Sequence, residues 1–143
     1  MRDLSNNIVP ANSIINAVKT AAANGTGVDL QGYESAMIVV SVGAEGDTLA
    51  ANLNFQISLE HSDDDSTYTD AAQADIIDGT IAADGVFLIL DGTGWIGYVG
   101  GKRYVRVVIA KTGTHSNGTP ISALVLKGNA RSSGDNANAT HNV

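Results

Sequence analysis

Residues 97–109 read GYVGGKRYVRVVI, and this stretch decides the fold. The pair Gly100-Gly101 is typical of a tight turn, and the aromatic and β-branched side chains that follow favour an extended strand. We therefore predict a hairpin corner, in which Gly100-Gly101 turns the chain and Tyr104 begins a core strand. Lys102 and Arg103 are expected to stay in solvent.

Outward from this corner, other segments show the periodicity of strands. Residues 36–42 are largely apolar on both faces, as a central strand requires. In residues 53–60, apolar side chains alternate with polar ones, which predicts one face on the core and one face in water. The inward set is Leu53, Phe55, Ile57 and Leu59, and the outward set is Asn54, Gln56, Ser58 and Glu60.

The rest of the chain adds strands and turns. A polar turn at 61–66 precedes a short strand that begins at Tyr68, and the apolar run 86–90 has strand length. Two long strands, 103–111 and 120–129, are joined through the turn Asn117-Gly118. Three Asp-Gly pairs, at 78–79, 84–85 and 91–92, mark further turns. About eight strands predict an all-β fold, an antiparallel β-sandwich or a jelly roll.

The N-terminal region leaves two interpretations of residues 13–23. Ser13 could cap a short helix, which the Ala21-Ala22-Ala23 run favours. We favour a strand, because the hairpin signal Asn24-Gly25 follows immediately. The predicted organisation is an extended N-terminal arm at 1–12, a β-sandwich domain at 13–131 and a flexible C-terminal tail at 132–143.

Composition argues against several classes of function. The 143 residues carry a formal net charge of −7 and only eight lysines and arginines, which disfavours nucleic-acid binding through phosphates. No cysteine is present, so neither a disulfide nor a thiolate metal site is expected. The N-terminus lacks a signal-peptide core, and the longest apolar run, 36–40, is too short for a membrane span. We expect a soluble protein made in a reducing compartment, with no membrane partner.

The polar clusters do not predict a metal or catalytic site. Asp63-Asp64-Asp65 lacks the glycine and glutamate of a calcium loop, so we expect a solvated turn whose side chains bond neighbouring amides. His61, His115 and His141 are too widely spaced for zinc and are interpreted as surface residues. Gly92-Thr93-Gly94 opens onto Trp95 rather than a helix, which disfavours a dinucleotide site. No catalytic residue, cofactor or metal ligand is predicted.

The aromatic residues Trp95, Tyr98 and Tyr104 have two interpretations. Flat rings could stack on sugars, or they could pack in the core and turns with their hydroxyls bonded to nearby backbone. We favour the core, because the chain has only seven aromatic residues. Arg106 shares a face with Tyr104 and is expected to pair with an acidic neighbour.

Three segments, taken in order, resemble a pattern found in small head proteins of tailed phages, prophages and related particles. They are VDLQGY (28–33) followed by AMIVVSVG (36–43), LEHSDD (59–64) and GYVGGKRYVRV (97–107). The likeness spans residues 26–110. The second and third segments also resemble jelly-roll sugar-binding modules, although Tyr68 stands where those modules often carry tryptophan.

This resemblance implies a capsid decoration protein without enzymatic activity. Such proteins are made in the host bacterial cytoplasm, assemble as trimers or hexameric rings on the outer capsid surface, bind the major capsid protein and stabilise the head. The arm at 1–12 would then order on the capsid or on a neighbouring subunit. The alternatives are a carbohydrate-binding or host-attachment module that uses Trp95 and Tyr98, and a tail or fibre-base protein with the same fold.

Overall fold

The computed structural model describes residues 7–44, 46–78, 87–88 and 92–131. These residues form eleven strands and one 3-10 turn, Gln73–Asp75. The strands are β1 (Ile8–Lys19), β2 (Ala23–Asn24), β3 (Val28–Asp29), β4 (Tyr33–Val42), β5 (Asn54–Ser62), β6 (Thr69–Asp70), β7 (Ile76–Asp78), β8 (Phe87–Leu88), β9 (Gly92–Tyr98), β10 (Tyr104–Thr112) and β11 (Thr119–Ala130).

The strands make two antiparallel sheets. The five-stranded sheet has the order β1-β11-β4-β9-β7. The six-stranded sheet has the order β2-β10-β5-β6, with β3 also paired to β10 and β8 to β5. The all-β, sandwich-like fold predicted from the sequence is confirmed.

One hydrophobic core lies between the sheets, because each long strand turns one row of side chains inward. In the five-stranded sheet, alternate residues of β4 and β11 are buried, and in the six-stranded sheet those of β5 and β10 are buried. The largest fully buried apolar side chains are Phe55, Ile38, Ile57, Ile109, Ile121, Val40, Val105, Val107 and Val125. Aliphatic residues therefore build the core, as the scarcity of aromatics requires.

The alternation predicted for residues 53–60 is confirmed in part, since Leu53, Ser58 and Glu60 are half-buried. Phe55, Ile57 and Leu59 are buried, and Gln56 is exposed. Asn54, expected in water, is buried, because its side-chain amide donates to the backbone carbonyls of Ala50 (3.1 Å) and Ala51 (2.9 Å). The Asn54 side chain thus stabilises the turn that precedes β5. Strand periodicity does not predict this burial of a polar residue.

The N-terminal region differs from the prediction. The strand interpretation is right for residues 13–19, but β1 already begins at Ile8, where it pairs with Gly128 of β11, and it ends at Lys19. Residues 8–12 of the predicted arm therefore lie in the sheet, and residues 1–6 lie outside the described part. The hairpin argument was wrong, because Asn24 belongs to β2 and pairs with Val108 in the other sheet.

Irregularities in β1 bring it against the six-stranded sheet. The register shifts between Asn12 and Ile14, and Ser13 is buried at this point. Its hydroxyl accepts from the Val107 amide (2.9 Å) and donates to the Thr26 carbonyl (3.0 Å). Val107 lies between the part of β10 that pairs with β2 and the part that pairs with β3. Ser13 therefore satisfies a backbone donor where the sheet ladder is interrupted.

The middle and the end of the chain are described in part. Tyr68 precedes β6, which begins at Thr69, and β5 extends through Ser62 into the region predicted as a turn. Only 87–88 of the predicted strand 86–90 is described, and it pairs with β5. The Asp84-Gly85 turn and the tail at 132–143 lie outside the described residues, as do Gly79 and Asp91 of the other two Asp-Gly pairs.

Candidate functional site

The corner at residues 99–103 connects the two sheets rather than two strands of a hairpin. β9 ends at Tyr98 in the five-stranded sheet, and β10 begins at Tyr104 in the six-stranded sheet. The predicted hairpin was wrong, because β9 pairs with β4 and β7, whereas β10 pairs with β5. The chain therefore crosses one end of the sandwich at the stretch that carries Lys102 and Arg103.

Tyr98 lies beneath this crossing and forms a hydrogen bond with it. Its ring is buried, and its hydroxyl accepts from the Lys102 amide (3.1 Å) and lies 3.0 Å from His61 Nδ1. Burial raises the pKa of Tyr98 above its ordinary value, while the bond from Lys102 opposes the shift. A Cβ at Gly100 would lie 2.6–2.7 Å from the Tyr98 ring and hydroxyl, so only glycine lets the backbone approach the ring so closely.

Three basic residues, two in the corner and one in β10, each pair with an acidic side chain. Lys102 pairs with Asp63, and the Arg103 guanidinium donates two hydrogen bonds (3.0 and 2.7 Å) to the Asp29 carboxylate. Arg106 binds Glu60 (2.6 Å), as the sequence predicted for an acidic neighbour, and its guanidinium also lies 3.9 Å from the centre of the Tyr68 ring. The hydrogen bond from Arg103 lowers the pKa of Asp29, and the Gln31 amide adds to the shift. Each of these three cations therefore has its ion-pair partner within the same chain.

The acidic turn at 63–65 is held by its own backbone. The Asp64 carboxylate accepts from the amides of Thr67 (2.8 Å) and Ser66 (2.9 Å) and from the Ser62 hydroxyl (2.9 Å). These bonds hold the pKa of Asp64 far below its usual range. The predicted amide-bonding turn is confirmed. Among the described residues, no group of three histidine, aspartate or glutamate side chains is placed to hold a metal ion.

The histidines correct one expectation. His61 and His115 are buried rather than on the surface, and His141 lies outside the described residues. His115 stacks on Phe55 with ring centroids 4.0 Å apart. Its Nε2 lies 3.3 Å from the Asn54 carbonyl and 3.2 Å from the Thr112 carbonyl, so this nitrogen carries the proton. The two rings fill structural positions that histidine spacing in the sequence could not identify.

A groove of about 500 Å³ opens beside the corner. Charged side chains line it, among them Asp63, Lys102, Arg103 and Arg131. Each of these has an internal partner, including Arg131, which lies 3.6 Å from Glu34. Tyr98 also lines the groove, and its hydroxyl lies 3.0 Å from His61 Nδ1, but both of these side chains are buried. The chemistry of the groove is that of internal ion pairing.

The outer face of the five-stranded sheet has a different character. Two cross-strand rows run over it: Pro10, Leu126, Met37, Gly97 and Ile77 in one, and Asn12, Leu124, Val39 and Trp95 in the other. We call these nine residues the apolar face. None of them is charged, and Ile77, Trp95, Met37 and Leu124 are 59%, 43%, 37% and 37% exposed. Contiguous exposed apolar surface of this kind marks interaction sites.

Trp95 corrects the expectation that the aromatic residues serve the core. Tyr98 is buried as predicted, and Tyr104 is half-buried beside the Arg103 guanidinium. Trp95 instead stands on the apolar face, because it is one residue out of phase with the inward Ile96 and Gly94. The phase of β9 could have been inferred from Ile96 and Tyr98, but the glycines on either side of Trp95 obscure the alternation.

The flanks of the apolar face are small and uncharged. Ser122, Ser41 and Thr93 form the next cross-strand row on one side, and Gly128 pairs with Ser35 on the other. A shallow groove of about 310 Å³ continues the face at Met37 and Leu126. The uncharged surface thus extends over four rows of the sheet.

None of the described helical residues makes a helix long and apolar enough to cross a membrane.

Comparison with known proteins gives a similarity of fold. No family model matches the sequence, and no curated protein matches it. Among solved structures, the chain is similar to the SPBc2 prophage-derived protein YomS, with a TM-score of 0.51 and 12% identity. The similarity covers 83% of this chain and 94% of that one. At this identity, the two chains share a fold.

Proposed function

We propose that this chain is a structural protein of a phage or prophage-derived particle and that it decorates the outside of the head. The observation that carries the proposal is the fold shared with a prophage-derived protein over 94% of that protein's length. The ordered resemblance of residues 26–110 to phage head proteins is an independent argument for the same class. The proposed partner is the major capsid protein, and the proposed location is the outer capsid surface.

The polar chemistry of the molecule supports a role without catalysis. The cations of the corner are paired with Asp63, Asp29 and Glu60. Tyr98 and His61 bond to each other below the surface. Groups arranged in this way stabilise a crossing between sheets. We therefore propose that the protein binds and does not catalyse a reaction.

Electron microscopy of particles from the source of this chain tests the proposal. Antibody against the protein, detected with gold, should label the heads of purified particles, and mass spectrometry should find the chain in them. Gold confined to the tail or its base would replace head decoration with the tail or fibre-base alternative. Absence of the chain from purified particles would refute a structural role in the virion.

A test of the N-terminal arm has to spare residues 8–12, because these residues are part of β1. Deleting residues 1–6 leaves the strand pairs intact, whereas deleting residues 1–12 removes the pairs of Ile8–Asn12 with β11. We expect the shorter deletion to weaken binding to purified shells while the melting temperature stays near that of the full chain. Unchanged occupancy on the shells would contradict a role for the arm.

A glycan-binding function is the second candidate, and exposed Trp95 is the observation that favours it. A sugar site also needs polar groups that bond the hydroxyls, and across the strands Trp95 pairs with Val39, whose other partner is Leu124. The hydroxyls of Thr93 and Ser41 lie only in the next row, so the apolar row around Trp95 favours a protein partner. Glycan-array binding that is lost in Trp95→Ala would reverse that preference, provided the variant keeps its melting temperature.

A further inference from the structure

We infer that the apolar face binds a second copy of this chain through a two-fold contact that places Trp95 of each copy over Gly97 of the other. The inference does not depend on where in a particle the protein resides. It rests on the charge, shape and size of the face.

Charge restricts where two copies can meet. Each copy has a formal net charge of −7, so most approaches of one copy to another are repulsive. The apolar face and its flanking serines and threonine carry no charged side chain. By contrast, the outer face of the six-stranded sheet bears Glu60 and Asp70 beside Arg106. The apolar face is therefore a surface on which copies can dock without placing carboxylates together.

Shape makes the face complementary to itself. Trp95 is a bulky, 43% exposed side chain on β9, and Gly97 lies two residues further on the same face. A Cβ placed at Gly97 would lie 3.3 Å from the Cβ and the carbonyl oxygen of Ile77, so Ile77 borders the glycine on the β7 side. The bulkiest side chain of the face and a residue without a side chain thus lie side by side on one strand.

A two-fold axis in the plane of the face joins these features. If the axis crosses the strands between the two rows, it exchanges the row of Trp95 with the row of Gly97. Trp95 of each copy then lies over Gly97 of the other, and Met37 lies over Val39. The contact is isologous, because the same patch serves both copies. Both rows are buried at once, and the two sheets face each other as in an aligned sandwich.

The size of the face predicts a reversible dimer. The row of Gly97 spans five strands about 4.8 Å apart, and four rows cross β4 and β11, so the face is about 20 Å long in each direction at its widest. Pairing two such faces removes on the order of 1,000 Å² from water, which is at the low end of specific interfaces. We therefore expect a dissociation constant in the micromolar range.

Sedimentation velocity of the full chain over a range of concentrations tests the inference. The wild type should shift from monomer to dimer as concentration rises. Met37→Glu places an unpaired carboxylate in the centre of the contact, so its dimer affinity should fall at least about 100-fold. Gln56→Glu is the matched control: it adds the same charge at an exposed position on the other sheet, and its affinity should change less than about twofold.

Trp95→Ala provides a second route, because it adds no charge and removes the protruding ring. It should weaken the dimer at least about tenfold while its melting temperature stays near that of the wild type. A monomeric wild type, or a dimer that survives both Met37→Glu and Trp95→Ala, would overturn the inference. A monomeric wild type whose Met37→Glu variant loses binding to purified shells would assign the face to the capsid instead of a second copy.

Discussion

The two outer faces of this sandwich are built on the same backbone pattern and differ in what they can bind. On the six-stranded sheet, a cross-strand row joins Arg106 to Glu60 and Glu60 to Asp70. On the five-stranded sheet, the row joins Leu126 to Met37, Met37 to Gly97 and Gly97 to Ile77. The inward rows of both sheets meet in one core.

This difference separates folding from binding within each strand. The inward residues of β4 and β10 determine whether the sandwich forms, because their burial drives folding. The outward residues determine which face remains hydrated and which is available to a partner. Substitutions at inward and at outward positions should therefore have separable effects, and so should substitutions on the two outer faces.

The largest effect is expected from two neighbouring residues of β4. Ile38 is 1% exposed and points inward, whereas Met37 is on the apolar face. Ile38→Ala should lower the free energy of unfolding by about 2–5 kcal/mol, since it leaves a cavity in the core. Met37→Ala should cost less than about 1 kcal/mol in the monomer. Urea unfolding at low protein concentration measures both, and equal losses would mean that Met37 is a core residue.

The next largest loss of stability is expected at two arginines whose ion pairs with carboxylates differ in solvent exposure. The Arg106–Glu60 pair is about one-fifth exposed, and Arg106 also packs on Tyr68. Arg106→Ala should cost about 1–3 kcal/mol, because it leaves Glu60 half-buried without its cation. Arg103→Ala, at a more exposed pair with Asp29, should cost less than about 1 kcal/mol. A double-mutant cycle with Glu60→Gln isolates the pair, and a coupling energy near zero would contradict its role.

A smaller effect is expected from acid. Hydrogen bonds lower the folded-state pKa of Asp29, Asp47 and Asp64 below the ordinary value of 3.8. The stability they contribute is present above that value and is lost as the pH falls through the folded pKa values. The urea midpoint should therefore decrease from about pH 5 to about pH 2. Asp64→Asn should show a shallower decrease, and an unchanged slope would show that the Asp64 contacts do not favour the folded state.

Sequence periodicity predicted the long strands β4, β5, β10 and β11, because each of them carries a strong inward row. The alternation of residues 53–60 and the apolar run 36–42 correctly identified β5 and the central strand β4. Local turn signals were less informative about topology. Asn24-Gly25 predicted a hairpin and Gly100-Gly101 predicted another, yet Asn24-Gly25 lies between two short strands that both pair with β10, and Gly100-Gly101 lies on the path between the sheets. A turn pair reports a change of chain direction and does not specify which sheet receives the next strand.

The candidate interaction surface was harder to predict than the core. Met37 and Val39 were recognised as a second apolar row, and that row was attributed to the burial of a central strand. Trp95 was assigned to the core, because seven aromatic residues were expected to fill it. Its exposure follows from the phase of β9, and the partner rows on β4 and β11 follow from pairing of distant segments. Such a patch exists only after the register is set, so single-strand patterns do not contain it.

The smallest expected effect is that of salt on the contact between copies. Because the apolar face carries no charge, added salt screens only the long-range repulsion between copies of charge −7. Dimer affinity should therefore rise slightly, by less than about threefold, between low and physiological ionic strength. A contact through Arg106, Glu60 and their neighbours would respond in the opposite sense, because screening weakens attraction between opposite charges. Sedimentation at several salt concentrations distinguishes the two faces, and affinity that decreases with salt would assign the contact to the charged one.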